Sequence, residues 1–372
     1  MNRHAYWIAS LFFAALVLAR FSPHTGFTGL IRFGETWQDH RHSALQNLPL
    51  ATVPKSNGYD GQFYAQIAID PLLRGSELER VLDAPAYRAR RILVPATAWL
   101  LGFGNPWWTL QAYALLNAVS WFALGCLLRD RIGTKDWLCF ARWTGCMFSM
   151  GVLDSARQSL IDLPALLLLT FALRSYAQSH AAKTSLWLAL GNLAKETDLL
   201  GAIALNGDGL TSKLRRGRAL FSLFAAGAPL GLWTLYVHQR FNGSAASEGL
   251  GNFTWPLLGM LTHTKLCFHE LIQGNFDGRY AFGLLAVAGL LTQAVTIWQL
   301  PQFQSPWWRV GAAYSLLLPF LGLWVWSGYW AVCRVVLPLT IAFNLLLPVN
   351  RLFWPLWIAG NLTLLHAVWR FL

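Results

Sequence analysis

Apolar segments separated by short basic loops are what most restrict the folding of this 372-residue chain. A helix that crosses the hydrocarbon of a bilayer takes about 20 mostly apolar residues, and somewhat fewer where its ends snorkel or the bilayer thins. That criterion predicts helices near Tyr6–Phe21, Trp107–Leu128, Trp137–Leu153, Leu160–Tyr176, Leu186–Ala194, Asp198–Leu210, Leu220–Val237, Ala281–Trp298, Val310–Trp326, Trp330–Pro348 and Leu352–Trp369. The fifth and sixth are short and read together as one broken or re-entrant pair. Composition agrees: 55% of residues are hydrophobic and only 12% charged, against about a quarter charged in soluble domains. The expected fold is an all-α polytopic membrane protein with about eleven transmembrane helices, forming a single domain over residues 1–372.

The net charge of +12 forms no basic stripe on a soluble domain, so nucleic acid is not an expected partner. The charge falls instead in loops. Arg3, the Arg129/Arg131/Lys135 loop, Arg174 with Lys183, the Lys213/Arg215/Arg216/Arg218 loop, Arg309 and Arg351 all lie on one side if Ile92–Phe103 lies in the interface rather than spanning. Cytoplasmic loops collect Lys and Arg, which puts that side and the N-terminus in the cytoplasm. The apolar run after Asn2-Arg3-His4 has no clean small-x-small cleavage site and reads as an uncleaved first helix. The five scattered cysteines (Cys126, Cys139, Cys146, Cys267, Cys333) form no CxxC and read as buried small hydrophobes.

Two long loops, His24–Pro106 and His238–Tyr280, then share the outer face. Segments of that length are usually functional or disordered. These two carry Trp, Phe and Leu in interfacial-helix patterns, so a lid-like layer over the bilayer is expected.

The first loop carries the most informative local sequence, Tyr59 to Asp70, YDGQFYAQIAID. Asp60 precedes a short apolar run, where an aspartate commonly caps a helix, and Gly61 would permit a tight turn that aims it. Gln62, Tyr64 and Gln66 add polar groups. Arg88, Arg90 and Arg91 follow, with Arg88 and Arg91 on one face at helical spacing. Guanidinium groups suit phosphate, whether of a lipid headgroup or of a lipid-linked substrate. Further along, Asp154, Arg157 and Asp162 bracket one helix connection, Lys195-Glu196-Thr197 interrupts an apolar region, and Arg334 sits inside Trp330–Pro348. A charge at the bilayer centre costs about 2.5–3.5 kcal/mol, so such residues line a cavity or pair up; Lys195 with Glu196 is one candidate pair.

The number of acids bears on the reaction. Hydrolysis of a glycosidic bond generally takes two carboxyls. A sugar carried on phosphate already has a good leaving group, so its transfer needs one base and cations for the departing phosphate. One displayed Asp among several Arg and Lys meets that requirement.

With these features in this order, the chain resembles the GT-C superfamily of membrane glycosyltransferases. Tyr59-Asp60-Gly61-Gln62-Phe63-Tyr64 is similar to the W-D-G-x-x-Y element of its GPI-mannosyltransferase branch and of bacterial relatives linked to cell-surface glycopolymers. Ile92–Phe103 resembles the superfamily's first-loop PLL-type helix, and Arg157–Leu163 its R…D element. The resemblance implies an inverting transfer on the extracytoplasmic face of a bacterial inner membrane, from a polyprenyl-phosphate sugar donor to a glycan or lipid-linked acceptor. Asp60 would be the base, with Arg88, Arg91, Lys195 and Arg334 on the donor phosphate. Tyr59, Gln62, Tyr64, Arg90, Arg157, Asp162 and Glu196 would contact substrate. The family's close second acid is missing, since the next acid, Asp70, is ten residues on; a divalent cation is therefore possible but not indicated. A transporter or flippase of lipid-linked glycans is the main rival, although repeated halves are absent. A glycan polymerase or ligase is the nearer enzymatic one.

Overall fold

The computed structural model describes residues 3–211, 216–241 and 249–372, and it is mostly helical. Lys213, Arg215 and the side chain of Arg3, from the basic loops, lie outside the described residues, as does the stretch 242–248 of the second long loop. Helix α1 (Arg3–Leu18) is followed by a layer of short elements: β1 (Phe33–Gly34), α2 (Ser43–Gln46), β2 (Thr52–Val53), α3 (Gly61–Ile67), α4 (Glu77–Val81), α5 (Pro85–Ala89) and α6 (Leu93–Leu101). The bundle comprises α7 (Pro106–Ile132), α8 (Trp137–Met147), α9 (Met150–Arg157), α10 (Asp162–Ala177), α11 (Ala181–Ala194), α12 (Leu199–Thr211), α13 (Arg216–Arg240), α14 (Leu258–Ile272), α15 (Gly278–Gln299), α16 (Pro306–Leu317) and α17 (Leu323–Ser327). It closes with α18 (Tyr329–Val335), α19 (Leu337–Leu346), α20 (Phe353–Gly360) and α21 (Leu364–Phe371).

Among the described residues three helices, α7, α13 and α15, are long and apolar enough to cross a membrane, and α18 with α19 makes a fourth if that pair, bent by 68°, is one span. The architecture is compatible with an all-α membrane protein. The strands add one small parallel pair, Phe33 with Thr52 and Gly34 with Val53, that the all-α expectation lacked. Several expected spans are broken into shorter helices, for identifiable reasons. Pro338 stands in the first turn of α19, where a missing N–H is harmless but continuation from the preceding helix is blocked. Ser149 turns its hydroxyl onto the Cys146 carbonyl at 2.9 Å between α8 and α9. Elsewhere termini follow ordinary capping: Asn105 accepts from Trp108 N at 3.2 Å with Pro106 in the first turn of α7.

Apolar surface faces outward on a scale that water does not favour. Leu220, Phe221, Phe224, Leu232 and Leu235 project from α13, Trp7, Ile8 and Leu11 from α1, and Trp255, Ile272 and Phe276 from the second long segment. The cysteines are all free; Cys146, Cys267 and Cys333 are buried, but Cys126 is exposed and Cys139 half-buried, which corrects the uniform expectation.

The two ends of the bundle differ. Tyr6, near the start of α1, donates to the Gly133 carbonyl at 3.1 Å beside the Arg129/Arg131 loop. At the other end of α1, Arg20 donates to the carbonyls of Phe371 and Leu372, and Arg370 of that segment reaches Asp154. The α6 helix, nine residues long, is too short to span and packs against α7 and α3.

Candidate functional site

Close backbone approach sets the position of Asp60. Gly61 has no left-handed backbone; a Cβ there would lie 2.2 Å from the Gln158 carbonyl oxygen and 3.0 Å from that of Ile31. Glycine is thus needed for α3 to start against the α9–α10 connection, not for the tight turn that the sequence suggested. Asp60 stands at the N-cap of α3, yet its side chain caps nothing. The polar residues of α3 face two ways. Gln62 accepts from Gly34 N at 3.0 Å and donates to Asn57 O at 2.7 Å, while Gln66 accepts from His42 N at 2.8 Å and donates to Val81 O at 3.2 Å. Both are buried and tie down the long first segment. Tyr59 and Tyr64 face a cavity.

That cavity is about 580 Å³, and its lining joins Tyr59, Asp60, Tyr64, Tyr87, Arg88, Arg90, Arg91, Asp162, Lys195, Glu196, Thr197 and Arg334 from five separate stretches of chain. The lining also has apolar residues, among them Leu160, Ile161, Phe253, Leu321, Trp324, Val325 and Val335. Trp324 is 80% exposed and Phe253 50%, so this apolar lining continues onto the outer surface.

Most cations at the cavity already hold anions. Arg88 grips Asp83 with Nε and Nη2 at 2.9 and 2.8 Å, and the same Nη2 donates to Asp60 Oδ1 at 2.9 Å. Arg91 is bidentate to Glu196 at 2.8 and 2.6 Å and donates to the hydroxyls of Tyr64 and Tyr87, each at 2.6 Å. Lys195 pairs with Asp162 Oδ1 at 2.8 Å rather than with its neighbour Glu196. Arg334 lies 3.1 Å from both Asp162 Oδ2 and Asp154 Oδ2 and donates to the Tyr59 hydroxyl at 2.7 Å, which Trp330 Nε1 also approaches at 2.8 Å. Arg334 lacks an acidic neighbour in sequence but has two in space.

Asp60 differs from the other carboxylates. Only its Oδ1 is engaged, so Oδ2 has no hydrogen-bond partner among the described residues, and the side chain is 35% exposed. Burial opposes its ionisation, but the Arg88, Arg334 and Arg91 guanidiniums outweigh that and hold its carboxyl below the usual range. The same contest, burial against Arg91, takes Glu196 down to about 2. Desolvation weighs against the charged form of Arg88, yet Asp60, Tyr64 and Asp83 hold its guanidinium well above the ordinary value. Asp60 is therefore an ionised acceptor with one free oxygen.

Of the expected site residues, Asp60, Arg88, Arg91, Lys195, Arg334, Tyr59, Tyr64, Arg90, Asp162 and Glu196 all line the cavity, whereas Gln62 and Arg157 do not. Arg157 closes α9 in a separate group of arginines near Asp154. The sequence reading missed Asp83, Tyr87, Asn252 and Trp324. Tyr87 heads the Arg-rich run and stacks under Arg91 with its ring centroid 4.2 Å away, so that run carried the signal. Among the described residues no group of three His, Cys, Asp or Glu is placed to hold a metal ion. No protein-family model matches the chain, and neither a curated protein nor a solved structure matches it.

Proposed function

We propose that this protein is a glycosyltransferase that moves a sugar from a polyprenyl-phosphate carrier to a glycan or lipid-linked acceptor, with inversion and with Asp60 as general base. The observation that carries this is the free Oδ2 of an ionised Asp60 on a cavity whose lining combines several cations with apolar and aromatic residues. An amphipathic cavity of this kind suits a substrate with a phosphate and a hydrocarbon chain. In the proposed step an acceptor hydroxyl attacks the anomeric carbon, its proton passes to Asp60 Oδ2, and the carbon–oxygen bond to the carrier phosphate breaks. The leaving phosphate gains charge beside Lys195, Arg334 and Arg88, where fixed dipoles and cations act without water's reorganisation. A single displacement inverts the configuration.

The reading extends to about eleven spans, with the α-helical bundle in a bacterial inner membrane, the N-terminus cytoplasmic and the cavity extracytoplasmic. The Arg129 loop and the Asp154 cluster lie at opposite ends of α1, which agrees with their placement on opposite sides of the membrane. The breaks at Lys195 and between α18 and α19 favour transport of a lipid-linked glycan as the second reading, since broken helices mark transporters.

The test uses purified protein in lipid nanodiscs with a synthetic polyprenyl-phosphate sugar and a membrane glycan extract as acceptor. Release of polyprenyl phosphate together with labelled glycan is expected. Movement of intact donor between leaflets without release would support the transporter reading and overturn this one.

A further inference from the structure

Four arginines gather around Asp154 outside the cavity. Arg20 follows α1, Arg32 precedes β1, Arg157 ends α9, and Arg370 lies in α21. Arg370 is held, with its guanidinium 3.8 Å from the Trp330 ring centroid and 3.5 Å from Asp154 Oδ1. Arg20 is also held, by the carbonyls of Phe371 and Leu372. Asp154 has little left to offer: Oδ2 faces Arg334 at 3.1 Å, and Oδ1 also accepts from Gln158 at 2.7 Å.

Arg32 and Arg157 are different. Among the described residues neither guanidinium makes a hydrogen bond or ion pair, and Arg157 Nε is buried without a partner. Both side chains are only half-buried. The backbone fixes Arg32, whose carbonyl accepts from Tyr59 N at 3.2 Å and whose φ of 60° is rare for a side chain other than glycine. Burial, then the charges of Arg32 and Arg370, bring Arg157 down to about 10; burial, then Arg370 and Arg20, lower Arg32 as well. The group repels itself. The residues beside them in sequence, Ile31 and Gln158, both bring their carbonyls against Gly61, so the two stretches that carry these unpaired guanidiniums converge, and a planar fork of donors suits a tetrahedral oxyanion bidentately.

We propose that Arg32 and Arg157, flanked by Arg20 and Arg370, form a second anion site, separate from the cavity, that takes a phosphate-type oxyanion. Its source is either a lipid headgroup or a soluble phosphate compound, and the site does not depend on the reaction proposed above.

The test places the full chain in nanodiscs of phosphatidylcholine and follows thermal unfolding at low salt. One arm adds inorganic pyrophosphate; the other replaces part of the lipid with phosphatidylglycerol. Wild type is expected to be stabilised in at least one arm, pyrophosphate marking a soluble ligand and phosphatidylglycerol a headgroup. The R32Q/R157Q double variant should need at least about tenfold more anion for the same shift, while R32K/R157K retains most of the response. Without added anion the Gln variant should melt no lower than wild type, because it relieves repulsion. Equal responses from wild type and the Gln variant, no response from wild type in either arm, or a Gln variant that melts lower without anion would each overturn the site.

Discussion

The cavity and the arginine group beside it use the same residue type at the same end of the bundle, in opposite ways. Around the cavity Arg88, Arg91, Lys195 and Arg334 each hold a carboxylate, at 2.6 to 3.1 Å. Arg32 and Arg157 hold none. The two sets are linked through Asp154, which faces Arg334 with one oxygen and Arg370 with the other. Paired cations are fixed in place, as the proposed transfer requires for a leaving phosphate whose charge develops during reaction; unpaired ones gain most from an anion that arrives already charged. Acidic neighbours therefore say more about a basic residue's role than the residue itself does.

Breaking a cavity pair should have the largest effect on stability. Arg334→Met would leave Asp162 and Asp154 without it and should cost about 3–5 kcal/mol, read as the loss in unfolding free energy in detergent. Arg32→Gln should change the same quantity by no more than about 0.5 kcal/mol. If the two cost the same, the contrast between the regions fails.

Next in size is a pH effect at Glu196. Its folded pKa of about 2 lies below the ordinary 4.5, so pairing with Arg91 contributes fully above the ordinary value and is lost as pH falls through the folded one. Thermal unfolding measured across that acid range should show a stability decline that Glu196→Gln reduces. An unchanged pH profile in the variant would mean that Arg91 gains nothing from this carboxylate. A smaller change is expected at Arg88, whose guanidinium keeps the Asp60 carboxyl low. Arg88→Met should move the acid limb of the pH–rate profile upward, and an unmoved limb would separate Asp60 from that limb.

Much of the cavity could be read from the sequence because charge inside an apolar chain is conspicuous. Lys195, Glu196 and Arg334 interrupt apolar runs, and Asp60 with the Tyr87–Arg91 run stands in a loop too long to be a mere connection. What could not be read was pairing across the chain. Arg334 meets Asp162 172 residues away, and no local pattern encodes that distance. Asp83, which no sequence pattern singles out, is gripped by Arg88 five residues on. Gly61 was recognised as special for the wrong reason, because a close contact with the Gln158 carbonyl cannot be told in sequence from a turn that needs left-handed backbone. The apolar runs gave helices in nearly the expected places, but breaks such as that at Pro338 depend on what each half packs against.

The most direct test of the central claim is sugar transfer by Asp60→Asn in nanodiscs, with release of polyprenyl phosphate as the readout. The substitution keeps the side chain's shape and removes the base. The account predicts a loss of about 10²–10⁴-fold with donor binding retained; transfer at the wild-type rate would contradict it.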